Sequence, residues 1–366
     1  MSRGAPPTGL YDLSREELGG VLDGQPRYRV DQVWQALYTH GRRPAEMTNL
    51  PRELRTDLER RYPPALTLQA ESVSDDGQTV KWLWVAARGA SIETVLMLYP
   101  DRATVCVSSQ AGCAMNCSFC ATGQAGFKRH LSAGEILEQV AAARRRAQPR
   151  RLSNIVFMGM GEPLANYDRV WTAVGRIHAD MDISARHITV STVGVVPGIR
   201  RLAHEALPVN LAVSLHAANN ELRNSLVPLN RRYPLEVLVE VCRQYLTVKN
   251  RRLSFEWALI GGVNDRASDA RELADIAVPL GAHVNLIPLN PTPGYRVRGT
   301  DAAGVRRFRD ELLRLGVNAT VRRNRGTDID AACGQLAARA AQGTEGTERT
   351  DPALHPAAVA SQPVPH

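Results

Sequence analysis

Apolar positions recur along this chain with two different periods, and the change falls near residue 75. Before it, Val30, Val33, Trp34, Leu37 and Tyr38 share one face at helical spacing. Ser14 with Glu17 three residues on forms a capping box. Thr48-Asn-Leu-Pro51 starts another helix, proline being tolerated in the first turn. Residues 10–65 therefore predict short helices, in a small unit that carries Arg27, Arg29, Arg42, Arg43 and Arg52. After it, runs of β-branched and aromatic residues at 79–86 and 92–99, joined by the Arg88-Gly89 turn, predict a hairpin.

Further strands are predicted at 104–108, 154–158, 187–191, 209–215, 253–259, 284–289 and 317–321. Helical patterns lie between them at 132–147, 169–179, 235–246, 271–278 and 305–315, the first opened by a second capping box, Ser132 with Glu135. Repeated β-then-α units predict an α/β fold: a parallel sheet with helices outside it, either open or a full or partial barrel. In either form, function belongs at the carboxyl ends of the strands. The expected organisation is a helical accessory unit at 1–75, an α/β unit at 76–338, and a tail at 339–366. From 341 onward that tail has no periodicity and reads as disordered.

Composition narrows the class. The 366 residues are 44% hydrophobic, enough for a sizeable core, yet no stretch approaches the roughly 18–20 apolar residues of a membrane span. Met1 to Leu10 lacks a basic segment followed by an apolar one, so secretion is not expected. Six cysteines without a disulfide-like framework suit a reducing cytoplasm. The net charge of +8 points toward a polyanionic partner, since each neutralised phosphate releases counterions.

The sharpest chemical signal is Cys113-Ala-Met-Asn-Cys117-Ser-Phe-Cys120. Iron–sulfur clusters normally take four cysteines, so three leave one iron open to another ligand, such as S-adenosylmethionine. A zinc site completed by Cys106 or His130 is the alternative, although zinc spacing usually has two C-x2-C pairs. The triplet follows the 104–108 strand directly. The next strand ends in Met158-Gly-Met-Gly-Glu-Pro163, where Gly159 and Gly161 permit close backbone approach and Glu162 supplies a carboxylate. Later strand ends carry Ser191, then Ser214-Leu215-His216, then Asn290, and together these read as one cofactor pocket. Cys242 reads as an inert core residue. Cys333 lies among small residues with Arg322, Arg323 and Arg325 before it, a setting that favours a thiolate and can hold a phosphate.

These motifs resemble the RlmN-like RNA adenine-C2 methyltransferases of the radical S-adenosylmethionine superfamily. The matching runs begin at Arg102, Cys117, Met158, Asn285 and Arg325, with Trp34-Gln-Ala-Leu-Tyr38 and Met47-Thr-Asn-Leu-Pro51 in the accessory unit. The resemblance spans residues 10–338. It implies a partial (β/α)6 barrel with a small N-terminal helical accessory domain that binds RNA. It implies a [4Fe-4S] cluster on Cys113, Cys117 and Cys120. It also implies S-adenosylmethionine bound by Gly161, Glu162, Ser191, Ser214, Leu215, His216 and Asn290. Cys333 would carry a methyl group from a first S-adenosylmethionine. A deoxyadenosyl radical from a second would activate that group for addition to C2 of adenine, and Cys106 would resolve the adduct by a disulfide with Cys333. Glu93 reads from the pattern alone as an exposed strand residue; the resemblance makes it the proton acceptor. The implied substrates are 23S rRNA and the tRNA adenosine beside the anticodon, with a flavodoxin or ferredoxin as electron donor and a monomeric enzyme. A related C8 methyltransferase of the antibiotic-resistance type shares Cys106 and Cys333. A zinc-stabilised RNA-binding protein without catalysis is the alternative from another class.

Overall fold

A computed structural model describes residues 9–86, 89–289 and 298–322. The chain begins with α1 (Arg15–Val21), α2 (Tyr28–Tyr38) and α3 (Arg52–Arg61). Both predicted capping boxes form, Ser14 with Glu17 opening α1 and Ser132 with Glu135 opening α5 (Ala133–Ala147). Each satisfies two end groups that a helix cannot bond internally.

The rest is organised by one ten-stranded sheet. Four strands lead antiparallel: β1 (Leu66–Val73), β2 (Thr79–Ala86), β3 (Ala90–Leu98) and β4 (Ala103–Cys106). From β4 the pairing turns parallel through β7 (Leu152–Phe157), β8 (Ile188–Thr192), β9 (Asn210–Ser214), β10 (Leu253–Leu259), β11 (His283–Pro288) and β12 (Ala319–Val321). Among the described residues β1 and β12 form the two edges and the sheet does not close on itself: it is an open, partial barrel. Between the parallel strands run α5, α6 (Tyr167–Ala179), α7 (Val196–His204), α8 (Asn220–Leu226), α9 (Leu235–Lys249), α10 (Ala267–Ala277) and α11 (Ala302–Arg314). A short ribbon of β5 (Gln110–Gly112) and β6 (Phe127–His130) flanks the four-residue helix α4 (Ala121–Gln124).

One core joins sheet and helices. β10 is buried on both faces, as covered parallel strands are, and its Trp257 stacks on Phe308 of α11 at 6.1 Å. Each such buried side chain contributes about 1.5–3 kcal/mol. The N-terminal helices pack on α5 and α6 and share that core. Polar bonds fix the seam: Trp34 Nε1 donates to Asp180, Asp12 accepts from the Gly134 amide, and Glu138 accepts from the Ala65 and Leu66 amides.

Several elements appear where the sequence pattern predicts none. β1 is an edge strand with one wet face and a register shift between Leu68 and Ala70, so its Glu71 and Ser72 resemble loop residues. The β5–β6 ribbon is too short to show a period. In α7, Pro197 and Gly198 look like breakers, yet the proline occupies the first turn, where no donor is missed. α8 has only seven residues. Among the described residues, no helix is long and apolar enough to cross a membrane.

Candidate active site at the strand ends

The cysteine loop is pinned before any ligand is considered. Gly112 precedes it at φ +74°, and a Cβ there would stand 1.9 Å from the Gly126 carbonyl oxygen. Only glycine fits, and that carbonyl accepts from the Cys113 amide at 2.9 Å. Farther on, the Ser118 amide donates to Leu226 O at the end of α8, and the Cys120 amide donates to Cys117 O. A separate apolar cluster of Cys117, Ala217, Leu226, Val227 and Ile260 holds the loop, with Met115, Phe119 and Cys120 packed against it.

All three cysteines line one cavity of about 200 Å³ at the strand ends. Burial pushes the Cys113 thiol up to about 12. Cys117 is raised too, by burial first and then by its two neighbouring cysteines. Thiolates at Cys113 and Cys117 are thus costly here unless a cationic group accompanies them, which is what an iron–sulfur cluster core would supply. Among the described residues, no three His, Cys, Asp or Glu side chains converge as ligands of one ion. His130, one candidate fourth zinc ligand, instead bonds Gln110 through Nδ1.

The opposite wall comes from the ends of β7, β8 and β9. Gly159 and Gly161 are required there by the chain itself as well as by any ligand. A Cβ on Gly159 would sit 2.6 Å from Val107 O, and one on Gly161, at φ +102°, 2.5 Å from the Gln110 side chain. Glu162 accepts from the Leu164 amide at 3.0 Å and the Val193 amide at 2.9 Å. Burial outweighs these bonds and pushes its carboxyl up to about 7. Ser191 and Ser214 also line the cavity. His216 stands in the left-handed region at φ 60°, held by Asn264 donating to its carbonyl. Its Nδ1 accepts from the Ala258 amide, so the proton lies on Nε2, and burial drives its pKa down to about 3. This neutral ring meets Phe119 edge-on at 4.6 Å.

Not every expected residue faces the cavity. The Leu215 side chain lies in the main core, leaving only its backbone near the site. Cys106 and Glu93 lie on the sheet behind it. Glu93 is no exposed strand residue: it is buried with Lys81, Nζ 2.9 Å from Oε2. Alternation alone misreads it, because both faces of this hairpin are covered. Cys106 packs with Val95 and Met97, against Met158, which lines the cavity. Burial raises the Cys106 thiol to about 11, with Arg322, Glu93 and Lys81 near enough to act on it. Cys242 is the inert core thiol expected. Asn290, Arg323, Arg325 and Cys333 lie outside the described residues.

Glu256 and Arg322 also line the cavity and were missed as pocket residues. Glu256 accepts from Ser254 and Asn285, and its signal was available: a lone acid inside the apolar run Leu253–Leu259.

An open α/β barrel with a cysteine triplet and a carboxylate-lined cavity at its strand ends defines a class, and comparison with known proteins agrees. The Radical SAM superfamily signature matches residues 107–274. A solved radical SAM methyltransferase from Sphaerobacter thermophilus superposes with a TM-score of 0.86 at 52% identity, covering 90% of this chain and 99% of that one. "Probable dual-specificity RNA methyltransferase RlmN" of Frankia casuarinae is 50% identical, covering 95% of this chain and 87% of the relative. "Dual-specificity RNA methyltransferase RlmN 1" of Myxococcus xanthus is 49% identical, covering 90% and 94%. The chain belongs to the RlmN family of radical SAM RNA methyltransferases.

Proposed function

We propose that this enzyme methylates C2 of an adenosine in 23S rRNA, and of the adenosine beside the anticodon in some tRNAs. Cys113, Cys117 and Cys120 would hold a [4Fe-4S] cluster, and Glu162, Ser191, Ser214 and His216 would hold S-adenosylmethionine against it. When bound, these groups supply a one-electron cleavage that yields a hydrogen-abstracting radical. The observation that carries the reading is the shared cavity: the triplet, the Glu162 rim and Arg322 all line it. Arg322 is the last described residue before the segment that bears Cys333.

The chain's own residues then have separate tasks. Cys333 would carry the methyl group to the base. Cys106 would resolve the adduct, a disulfide with Cys333 forming as the carbon–sulfur bond to the methylated adenine breaks. Held near 11, the Cys106 thiol stays protonated at neutral pH until that step draws on it. Glu93, the proposed proton acceptor, is held in place by Lys81, Nζ 2.9 Å from Oε2. The target adenine must be splayed out of its RNA to reach the strand ends. A flavodoxin or ferredoxin would supply the electron, and the enzyme would act as a monomer.

Nucleoside mass spectrometry of rRNA and tRNA fragments, treated with methyl-labelled S-adenosylmethionine, tests the proposal. The expected product is 2-methyladenosine, absent with Cys333→Ala although that variant keeps its iron and still cleaves the cofactor. A labelled 8-methyladenosine would overturn the regiochemistry, and full activity of Cys333→Ala would overturn the covalent route.

A further inference from the structure

Arg223 is among the largest fully buried side chains of the molecule, 1% exposed. It sits in α8, whose start is capped by the Asn219 side chain accepting from the Leu222 amide. Its sequence context, an arginine in a short polar helix, signals a solvated residue. Instead every guanidinium nitrogen is used inward. Nε donates to Leu215 O at 3.1 Å, Nη1 to Asn230 Oδ1 at 2.8 Å, and Nη2 to Val193 O at 2.7 Å and Ser214 O at 3.3 Å.

Two consequences follow from that set of bonds. The first is mechanical. Val193 is held on both sides, its amide by Glu162 and its carbonyl by Arg223, and the same guanidinium grips Ser214 and Leu215. It therefore ties together the ends of β8 and β9, which form the rim of the cavity. From the same helix, Leu226 O accepts from the Ser118 amide inside the cysteine loop. One short helix thus sets the spacing between the rim and the loop.

The second is electrostatic. All four acceptors are neutral oxygens, and among the described residues no carboxylate forms an ion pair with Arg223. A buried cation without a counter-charge is a costly arrangement unless an anion arrives. Cys117 shares a buried apolar cluster with Leu226, one turn on from Arg223 in the same helix, so that helix packs directly on the cysteine loop. The thiolate-bound cluster that the triplet would hold is such an anion.

We propose that Arg223 is a positioning residue with two tasks: it locks the strand-end rim around S-adenosylmethionine, and it lays one fixed positive charge against the iron–sulfur cluster, making the cluster easier to reduce. The inference rests on the reading of the triplet as a cluster site. A lysine could keep the charge but not the three-way grip, because a single ammonium cannot span the fork that a guanidinium does.

The test uses full-length protein reconstituted anaerobically with iron and sulfide. Iron content, S-adenosylmethionine affinity, and the reduced-to-oxidised cluster ratio at a fixed dithionite poise, read by electron paramagnetic resonance, are compared. In Arg223→Met that ratio should fall at least tenfold, a shift of about 59 mV for one electron. Arg223→Lys should keep the ratio within about threefold of wild type while weakening S-adenosylmethionine binding by about tenfold. Should Arg223→Met fail to fold, Asn230→Asp decides. It places a carboxylate on Nη1 and keeps the other bonds of Arg223, losing only those that Asn230 Nδ2 donates to Asn220 and Asn224, so the ratio should fall in the same direction. Iron-loaded variants with unchanged ratios in both Arg223→Met and Asn230→Asp would overturn the charge role. Unchanged cofactor affinity in Arg223→Lys would overturn the grip. Wild-type protein that takes up no iron would overturn the cluster reading itself, and this inference with it.

Discussion

Glu138, on α5, and Glu162, at the end of β7, meet the same electrostatic problem in the same way. Each accepts two backbone amides, Glu138 from Ala65 and Leu66 and Glu162 from Leu164 on its own loop and Val193 beyond β8, and each carboxyl is pushed up to about 7 by burial. Their surroundings differ. Glu138 staples Ala65 and Leu66 to the barrel beside Leu10, Leu37, Pro63 and Pro64. Glu162 ties the end of β7 to the end of β8 and shares a cavity with three cysteines, two serines and a neutral histidine. A perturbed carboxyl therefore locates burial, and only the neighbouring chemistry separates a seam from an active site.

The same substitution at both positions should give opposite phenotypes. In Glu162→Gln the amide oxygen can accept one of the two N–H groups, and the new NH2 meets the other. RNA methylation should drop at least about 100-fold, near 2.7 kcal/mol of barrier, with the melting temperature little changed. Retained methylation would place Glu162 in the same class as Glu138. For Glu138→Gln the loss should appear in stability, about 2 kcal/mol by urea denaturation, with turnover at 25 °C preserved. A collapse of turnover in a stably folded Glu138→Gln protein would erase the distinction.

The sequence made one of these two carboxylates legible and not the other. Glu162 follows a strand and a Gly-Met-Gly turn, so local pattern places it at a strand end. Glu138 is one acid in an amphipathic helix, and its amide partners come from 72 and 73 residues earlier in the chain. The parallel strands and the cysteine loop were readable for the same reason, since period and spacing are local. Glu93 was misread because alternation reports a single covered face, whereas both faces of its hairpin are covered. Arg223 was invisible: its partners at Val193, Ser214 and Leu215 converge only once β8 and β9 lie side by side.

pH sharpens the comparison further. The Glu138 carboxyl titrates at 4.5 in the ordinary case and at about 7 in the folded chain. Between those values the folded state holds a proton that the unfolded state has released. Its contribution is therefore fully present below 4.5, falls as pH rises, and is lost above about 7. The slope approaches about 1.4 kcal/mol per pH unit, less to the extent that water reaches the carboxylate. Urea stability of Glu138→Gln should fall less steeply than that of the wild type across this window. An identical slope would mean that the staple carries no buried charge.

Trp34 offers the smallest effect and the most direct view of how the seam is built. Its Nε1 donates to Asp180 at 3.0 Å, its ring lies 4.4 Å from Tyr38, and the Arg176 guanidinium covers it at 5.7 Å. Trp34→Phe keeps an aromatic face for both neighbours and removes the donor. Asp180 is only partly buried, so water can take up its freed oxygen, and the loss should be about 1 kcal/mol or less. Its value lies in combination with Glu138→Gln. If the two losses add within about 0.5 kcal/mol, the seam is a set of independent bonds. If the double variant loses less than the sum, breaking either bond already undocks the helical unit, and the unit binds the barrel as one body.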